Sequence, residues 1–462
     1  MQKQMRFGAA LFTVICFAIF VFIAVVCWDI SPHIPMLLGC IVASAVALLQ
    51  GCQWKVIQQG MVDSIAQSLE SLIILLMISV LMGVWIQSGV VPVMIYYGLK
   101  IISPGIFLPC TMIVTSLISM IVGSWGAAGT LGLAFMGIAQ ALGIPSALAA
   151  GAVISGAYVG DQLSPLSDST NLTSAVVGVN VFDHVRYLFP VNFAAYLIAA
   201  VGFLFVGLQY GKGDMSVVLQ NTGVFLKNIS NAFHITPLMF LPMVLMVVCI
   251  LRKVPATLSI MVGILSAGTL GMIFQGNDLK DLMVAAKNGY VGATGNELVD
   301  HLLTAGGLDS MMASISLIII AMMFGGIMEK SGQMKALTAP IVKRVHSLPA
   351  MTASVILTCI LVNIIMPDQY VAIALPGRMY INEYDCQGID HRRLGMALSG
   401  GAVATSSLVP WNTCGTFMCS VLGVSAFAYA RYAFFNMLSP LLVILLISFL
   451  THKEKNLTQT RR

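Results

Sequence analysis

Apolar segments follow one another along this chain with little between them. They lie near 7–28, 33–50, 64–88, 105–122, 130–143, 146–160, 170–181 and 187–209. After a more polar stretch, 210–233, they resume near 234–251, 256–275, 311–330, 350–366, 370–377, 394–405, 415–430 and 432–450. A helix crosses a bilayer core with about 20 apolar residues. Backbone groups in lipid must be satisfied within the protein. The expected fold is therefore an all-α polytopic membrane protein. Only 9% of residues are charged, and mean hydropathy is +0.93. Soluble domains carry about 25% charged residues.

Several function classes fall away. The net charge of +5 comes from basic residues in loops and tails, which suits topology signalling. No basic stripe with interleaved aromatics occurs, so no nucleic acid is expected. Ten cysteines are scattered without a C-x-x-C, giving neither a disulfide framework nor a zinc site. H-E-x-x-H and G-x-S-x-G are missing, so the chain is not expected to be an enzyme. The apolar run after Lys3 and Arg6 is too long for a signal peptide. It reads as a first span with Trp28 at the interface.

The second half repeats the first. Shifted by 245 residues, eleven of the 36 positions 152–187 match, among them Gly156/Gly401, Pro165/Pro410, Gly178/Gly423, Arg186/Arg431 and Tyr187/Tyr432. Upstream the register is 243, pairing Ser71 with Ser314 and Gly83 with Gly326. Loop charge then flips between the copies. The 29–33 loop has no Lys or Arg, but its counterpart holds Arg252 and Lys253. Residues 89–104 hold one Lys, and 331–348 hold Lys335, Lys343 and Arg344. Residues 143–147 hold none, against Arg378, Arg392 and Arg393. Basic loops face the cytoplasm, so the two copies are inverted. Lys3 and Arg6 put the N-terminus inside, and Lys453, Lys455, Arg461 and Arg462 put the C-terminus there too. The expected units are 1–210 and 234–452, joined by 211–233 and followed by a cytoplasmic tail, 453–462.

An inverted repeat needs an odd number of crossings per copy. Five crossings and one re-entrant hairpin fit each. The first hairpin tip is expected at 123–129 and the second at 366–370. The helix after each hairpin is broken, at 161–169 and at 405–416. Helix-breaking polar runs and ionised side chains survive in lipid mainly where they line a solute cavity. The four segments bring together Ser124, Trp125 and Thr130; Asp161, Ser164, Asp168, Ser169, Thr170 and Asn171; Asp368 and Gln369; and Thr405, Ser406, Ser407, Trp411, Asn412, Thr413 and Thr416. Their oxygens suit a small hard cation, with half-helix dipoles nearby. Asp161 and Asp168 lead as Na+ ligands, with Asn171. Desolvation favours a protonated carboxyl, and a bound cation favours the ionised one. One aspartate can therefore exchange Na+ for a proton. Asp63 and Glu70 read as a cytoplasmic boundary beside Lys55, and Glu329-Lys330 as an ion pair at a span end. A passive channel is the rival class, since inverted repeats and broken helices fit it too.

Four blocks in this order resemble the NhaC family of sodium/proton antiporters. They are Gly-Ser-Trp-Gly (123–126) with Gly129-Thr130, Gly-Asp-x-x-Ser-Pro-x-Ser-Asp-x-Thr-Asn (160–171), Pro-Trp-Asn-Thr-Cys-Gly (410–415) and Phe-Phe-Asn-x-x-Ser-Pro (434–440). The resemblance runs from about residue 10 to 450. It implies a multi-pass protein of the bacterial inner membrane. It also maps family blocks onto Asp161, Ser164, Asp168, Thr170, Asn171, Trp411, Asn412 and Thr413. The hairpin block usually reads Thr-Ser-Trp-Gly-Thr, and here Gly123 and Ala127 replace the two threonines. Some family relatives exchange organic acids or amino acids. The expected activity is Na+/H+ antiport, with Na+-coupled exchange of a small organic anion or amino acid as the alternative. No cofactor is expected beyond Na+ and H+. The expected partners are the lipid bilayer and these ions, and a homodimer is open to the chain.

Overall fold

The computed structural model describes residues 5–28, 30–211, 215–342 and 347–460. Lys3, Asp29, Lys343, Arg344, His346, Arg461 and Arg462, and positions 212–214 of the connecting segment, lie outside the described residues. Part of the loop-charge argument rests on them.

Among the described residues the chain is helical without a strand, apart from an isolated bridge between Tyr290 and Ala305. In the first half run α1 (Phe7–Phe22), α2 (His33–Leu49), α3 (Trp54–Gln87), α4 (Val90–Ile101), α5 (Pro104–Ala127), α6 (Leu133–Ala141), α7 (Ser146–Gln162), α8 (Asp168–Val177) and α9 (Val181–Gly211). The connecting segment is itself a helix, α10 (Met215–Ala232). The second half contains α11 (Leu241–Leu251), α12 (Ala256–Phe274), α13 (Leu279–Asn288), α14 (Glu297–Leu303), α15 (Met312–Lys330), α16 (Gln333–Val342), α17 (Leu348–Ile365) and α18 (Gln369–Cys386). It ends with α19 (His391–Leu398), α20 (Ala404–Ser406), α21 (Thr413–Leu422), α22 (Ala426–Tyr429) and α23 (Phe434–Thr460). Seven helices are long and apolar enough to cross a membrane, or nine if two bent pairs each count as one. The protein is an all-α, polytopic membrane protein.

Both hairpins form. Met112, Ser116 and Met120 of α5 meet Gly156, Gly160 and Ser164 in turn, so α5 and the next-but-one helix, α7, run parallel. Past Gly123 the order reverses. Ser124 meets Asp161, and Gly132 faces Val153. The chain therefore returns towards the end it came from. The turn is narrower than the sequence suggests. Only Gly123 leaves helical geometry, at φ 76° and ψ 171°, a region essentially confined to glycine. Residues 124–127 are α-helical and Ala128–Gly132 form a π-helical turn. The second hairpin repeats the pattern. Asn363 reaches Ala402 and Thr405. Then Gln369 meets Ser406 and Gly377 meets Leu398, in reversed order. Its turn is confined to Met366–Asp368, because Asp368 caps α18 and starts the helix at Gln369.

The helix breaks are also shorter than expected. The first spans Leu163–Ser167 and the second Ser407–Asn412. Asp161, Asp168 and Ser169 belong to the flanking helices, as do Thr405, Ser406 and Thr413 to Thr416. The second half-helices end alike, at Gly178 (φ 68°) and Gly423 (φ 65°), each a left-handed C-cap.

Packing repeats with the register. A Cβ on Gly156 would lie 2.3 Å from the Met112 carbonyl oxygen, and one on Gly401 would lie 2.9 Å from the Ile356 Cα. The paired helices α3 and α15 cross in opposite directions. Asp63 meets Lys330 at one end, and the Ser79 carbonyl accepts from the Gly307 N–H at the other. Corresponding helices that pack antiparallel are related by a twofold axis perpendicular to them. For membrane-crossing helices that axis lies in the bilayer plane, so the repeats are inverted. The copies differ at 276–310, where the second contains α13 and α14 against the single long α3 of the first.

Candidate functional site

A cavity of about 530 Å³ lies where the hairpin tips meet the broken helices. Nine of the eighteen residues expected at the site line it: Ser124, Trp125, Thr130, Asp161, Asp168, Ser169, Asn171, Gln369 and Thr413. The other nine do not. Ser164, Thr170, Asp368, Thr405, Ser406, Ser407, Trp411, Asn412 and Thr416 stand outside its lining.

Asp161 sits in the last turn of α7 and is 5% exposed. Its Oδ1 accepts from the Ser124 N–H at 3.2 Å and from Ser167 Oγ at 2.8 Å. Its Oδ2 accepts from Ser169 Oγ at 2.6 Å. The Asp161 carbonyl accepts from Thr170 Oγ1 at 3.0 Å. One carboxylate thus ties the hairpin tip, the break and α8 together. Three donors also satisfy most of its acceptor capacity, as a buried carboxylate requires.

Asp168 is different. It is the first residue of α8, where Ser167 holds the N-cap position without a side-chain bond. Its exposed side chain lines the cavity and makes no hydrogen bond or ion pair among the described residues. A capping role belongs instead to Asp368, 4% exposed, whose Oδ1 accepts from the Tyr370 N–H (2.8 Å) and the Val371 N–H (3.1 Å). A helix N-terminus needs such an acceptor. Asn171 lines the cavity and donates through Nδ2 to the Pro165 and Ser167 carbonyls.

The walls are built from local bonds. Ser164 Oγ donates to the Met120 carbonyl (2.6 Å) and accepts from the Leu166 N–H, pinning the break to α5. Asn412 Oδ1 accepts from the Cys414 N–H, and its Nδ2 donates to Asn363 Oδ1. Thr405 Oγ1 donates to the Gly401 carbonyl, and Ser406 Oγ to Gln369 Oε1. The Thr413 N–H donates to the Pro367 carbonyl at the second tip. The two expected tryptophans divide. Trp125 lines the cavity and stacks on Phe417, with ring centroids 4.3 Å apart. Trp411 faces away, donating to the Ile364 carbonyl at 2.8 Å and lying edge-on to Phe17.

Glu70, expected at a cytoplasmic boundary, lines the cavity together with Ser71, Ile74, Ile78 and Leu81. Their spacing is one face of α3, a helical period readable in the sequence. Lys253, in the left-handed region at φ 62°, also lines it. Neither was expected there. Lys330 does not pair with Glu329 in the structure. It pairs with Asp63 at 2.9 Å, across the close α3–α15 crossing that Gly60 and Gly326 permit.

A smaller cavity of about 240 Å³ includes Ser314, Leu317, Pro410, Trp411 and Thr416 in its lining. These are the register counterparts of Ser71, Ile74, Pro165, Leu166 and Asn171, which line the large one. The two cavities are thus the same vestibule in the two copies, one wide and one narrow. The narrow one has Ser314 bonded to Ser420. Charge separates them as well. Asp161 and Asp168 correspond to Ser406 and Thr413, so the second break has no carboxylate.

The sequence model of the Na+/H+ antiporter family matches residues 1–208 and 156–449. The chain belongs to that family. It is 34% identical over 447 residues to the Na(+)/H(+) antiporter NhaC of Bacillus subtilis, covering 96% of this chain and 98% of the relative. It is 35% identical over 439 residues to the malate-2H(+)/Na(+)-lactate antiporter of the same organism, covering 95% and 92%. It is 30% identical over 447 residues to the arginine/ornithine antiporter ArcD of Halobacterium salinarum, covering 96% and 92%. All three relatives are named as antiporters, and none as an enzyme. The family and the apolar helices make this chain a multi-pass transport protein.

Proposed function

We propose that the protein exchanges Na+ for H+ across the bacterial inner membrane, with Na+ and a proton competing at Asp168. The observation that carries this reading is a cavity-lining carboxylate, Asp168, with no partner among the described residues, beside a second carboxylate, Asp161, that accepts from three donors and keeps room at Oδ2. An unpaired carboxylate takes up either a proton or a cation. Asp161 Oδ2 and Asn171 complete the Na+ oxygen set. The paired vestibules support alternating access: the wide one narrows as its counterpart widens, and only a loaded Asp168 permits the exchange. In this reading residues 1–210 and 234–452 are the two moving units, each with five crossings and a hairpin, and both termini are cytoplasmic. Lys253 at the wide cavity then marks its opening as cytoplasmic.

Everted membrane vesicles test the reading. Added Na+ should collapse a preformed pH gradient in wild type. Asp168→Asn should lower that rate by at least about a hundredfold, about 2.7 kcal/mol. An unchanged rate in Asp168→Asn would sink the assignment.

The cavity volume favours a second reading. About 530 Å³ is the size of a small-molecule pocket, far more than a bare ion fills. Lys253 supplies a cation opposite Glu70 and Asp168. In this reading Na+ is coupled to exchange of a small carboxylate or amino acid, as the names of two relatives suggest. Strict dependence of proton movement on an added organic acid or amino acid would establish it over simple Na+/H+ exchange.

A further inference from the structure

The Phe434-Phe435-Asn436-x-x-Ser439-Pro440 block stands outside the cavity and takes no part in the reading above. Asn436 and Ser439 are both fully buried, one turn apart on the same face of α23. Asn436 Nδ2 donates to the Ala404 carbonyl at 2.9 Å and to Ser407 Oγ at 3.1 Å. Its Oδ1 has no donor, and Ser439 Oγ has no partner. Pro440 lacks an N–H, so the Asn436 carbonyl four residues earlier loses its helical donor as well. Two side-chain oxygens without a partner among the described residues, and one carbonyl that has lost its i+4 donor, thus lie on one turn of α23. The facing element is the π-helical turn Ser399–Val403, where a Cβ on Gly400 would lie 3.6 Å from the Pro440 Cα. Partnerless buried oxygens are rare, and π-helical turns recur at functional sites.

The first copy supplies a contrast. Asn192 holds the equivalent place: its Nδ2 donates at 2.8 Å to Oε1 of Gln162, the register counterpart of the Ser407 that Asn436 holds. Asn192 Oδ1 is without a partner too, but Gln162 Nε2 beside it is an unpartnered donor, and Ala195 stands three residues on where Ser439 follows Asn436. A donor repels a cation, and alanine offers no ligand. In the second copy the unpartnered side-chain atoms are oxygens only.

We propose that Asn436 Oδ1, Ser439 Oγ and the Asn436 carbonyl bind a second Na+, at a neutral site between α23 and the π-helical turn. Hard cations take such oxygens, and freed carbonyls at broken membrane helices coordinate Na+. The site rests on the reading of Na+ as the coupling ion. It acts through Ser407, the first residue of the second break, which the Asn436 amide holds. Filling the site fixes that break and so sets the wall of the cavity.

Thermal unfolding of the purified full-length protein in NaCl against KCl tests this at equal ionic strength. Wild type is expected to melt higher in Na+ than in K+. Ser439→Ala removes a hydroxyl without a protein partner, so it folds at least as well as wild type in KCl. Its half-saturating Na+ concentration should rise about tenfold or more, and Asn436→Ala should behave alike. Asp168→Asn keeps a Na+-dependent shift, and the Asp168→Asn/Ser439→Ala double variant loses it. A wild-type protein without a Na+-specific shift overturns the site. So does wild-type half-saturation in both Ser439→Ala and Asn436→Ala. The vesicle assay separates the two proposals. No Na+-driven pH change, with a shift that Ser439→Ala weakens, overturns the antiport reading and leaves this site standing.

Discussion

Ser314 and Ser420 are hydrogen-bonded across the narrow cavity, while Ser71, the counterpart of Ser314, lines the wide one. The same position in two inverted copies is therefore closed in one and open in the other. In the alternating access proposed above, this asymmetry is one vestibule shut while the other stands open.

Locking that closure should stop transport. Two hydroxyls in hydrogen-bond contact place their Cβ atoms within reach of a disulfide. Ser314→Cys/Ser420→Cys, in a background with Cys419 replaced, is expected to lose Na+-driven pH change on oxidation and regain it on reduction. Ser71→Cys in the locked protein should stay reactive to a membrane-impermeant thiol reagent from the side of the wide cavity. Full transport by the oxidised protein would show that this contact does not open during the cycle.

Asp368 should prove to be a cap. Asp368→Ala removes the acceptor for two N–H groups of α18 and is expected to cost about 0.5–2 kcal/mol in stability. Asp368→Asn keeps an acceptor without the charge. Near-wild-type melting and Na+ half-saturation in Asp368→Asn are the expected result. A tenfold loss of Na+ affinity there would make Asp368 a ligand.

Gly123 carries the first hairpin turn. Its φ 76° and ψ 171° suit glycine alone, so Gly123→Ala is expected to cost about 1–3 kcal/mol. The shift should pull the Ser124 N–H away from Asp161 Oδ1. Melting temperature and transport should fall together. A stable, active Gly123→Ala protein would show that the turn relaxes at little cost.

The 292–304 loop should open in acid. Hydrogen bonds from the Thr294 side chain and N–H and from the Gly295 N–H hold Asp300 below the usual carboxylate range, against a smaller opposing effect of burial. A depressed folded pKa gives stability that is present above the unfolded value, near 3.8. That stability is lost as pH falls through the folded value. Hydrogen exchange at Thr294 and Gly295 should therefore be pH-insensitive in protection above about pH 5 and lose protection below about pH 4. Asp300→Asn should show no such transition.

Asp161 and Asp168 were equally visible in the sequence, and their residue types alone could not separate them. Both lie in one polar run inside an apolar segment, and both reach the cavity. Which carboxylate is engaged and which is free depends on Ser124, 37 positions away, and on how α8 leaves the break. Trp411 and Asn412 fit a family block, yet both point behind the wall, because Ile364 and Asn363 of the second hairpin take their donors. The cavity face of α3 is a matter of period: Glu70 shares it with Ser71, Ile74 and Ile78.

The amino-acid sequence determined the helices, the duplication and the inversion. Hydropathy at the length of a bilayer, matching positions at fixed offsets and basic loops are local or periodic signals that survive without contacts. The tertiary structure alone decided the inside of the site: the narrow turn at Gly123, the cap at Asp368, the partnerless Asp168, and the unequal vestibules. These depend on donors and acceptors brought together from distant segments, and side-chain hydrogen bonding has no period along a chain.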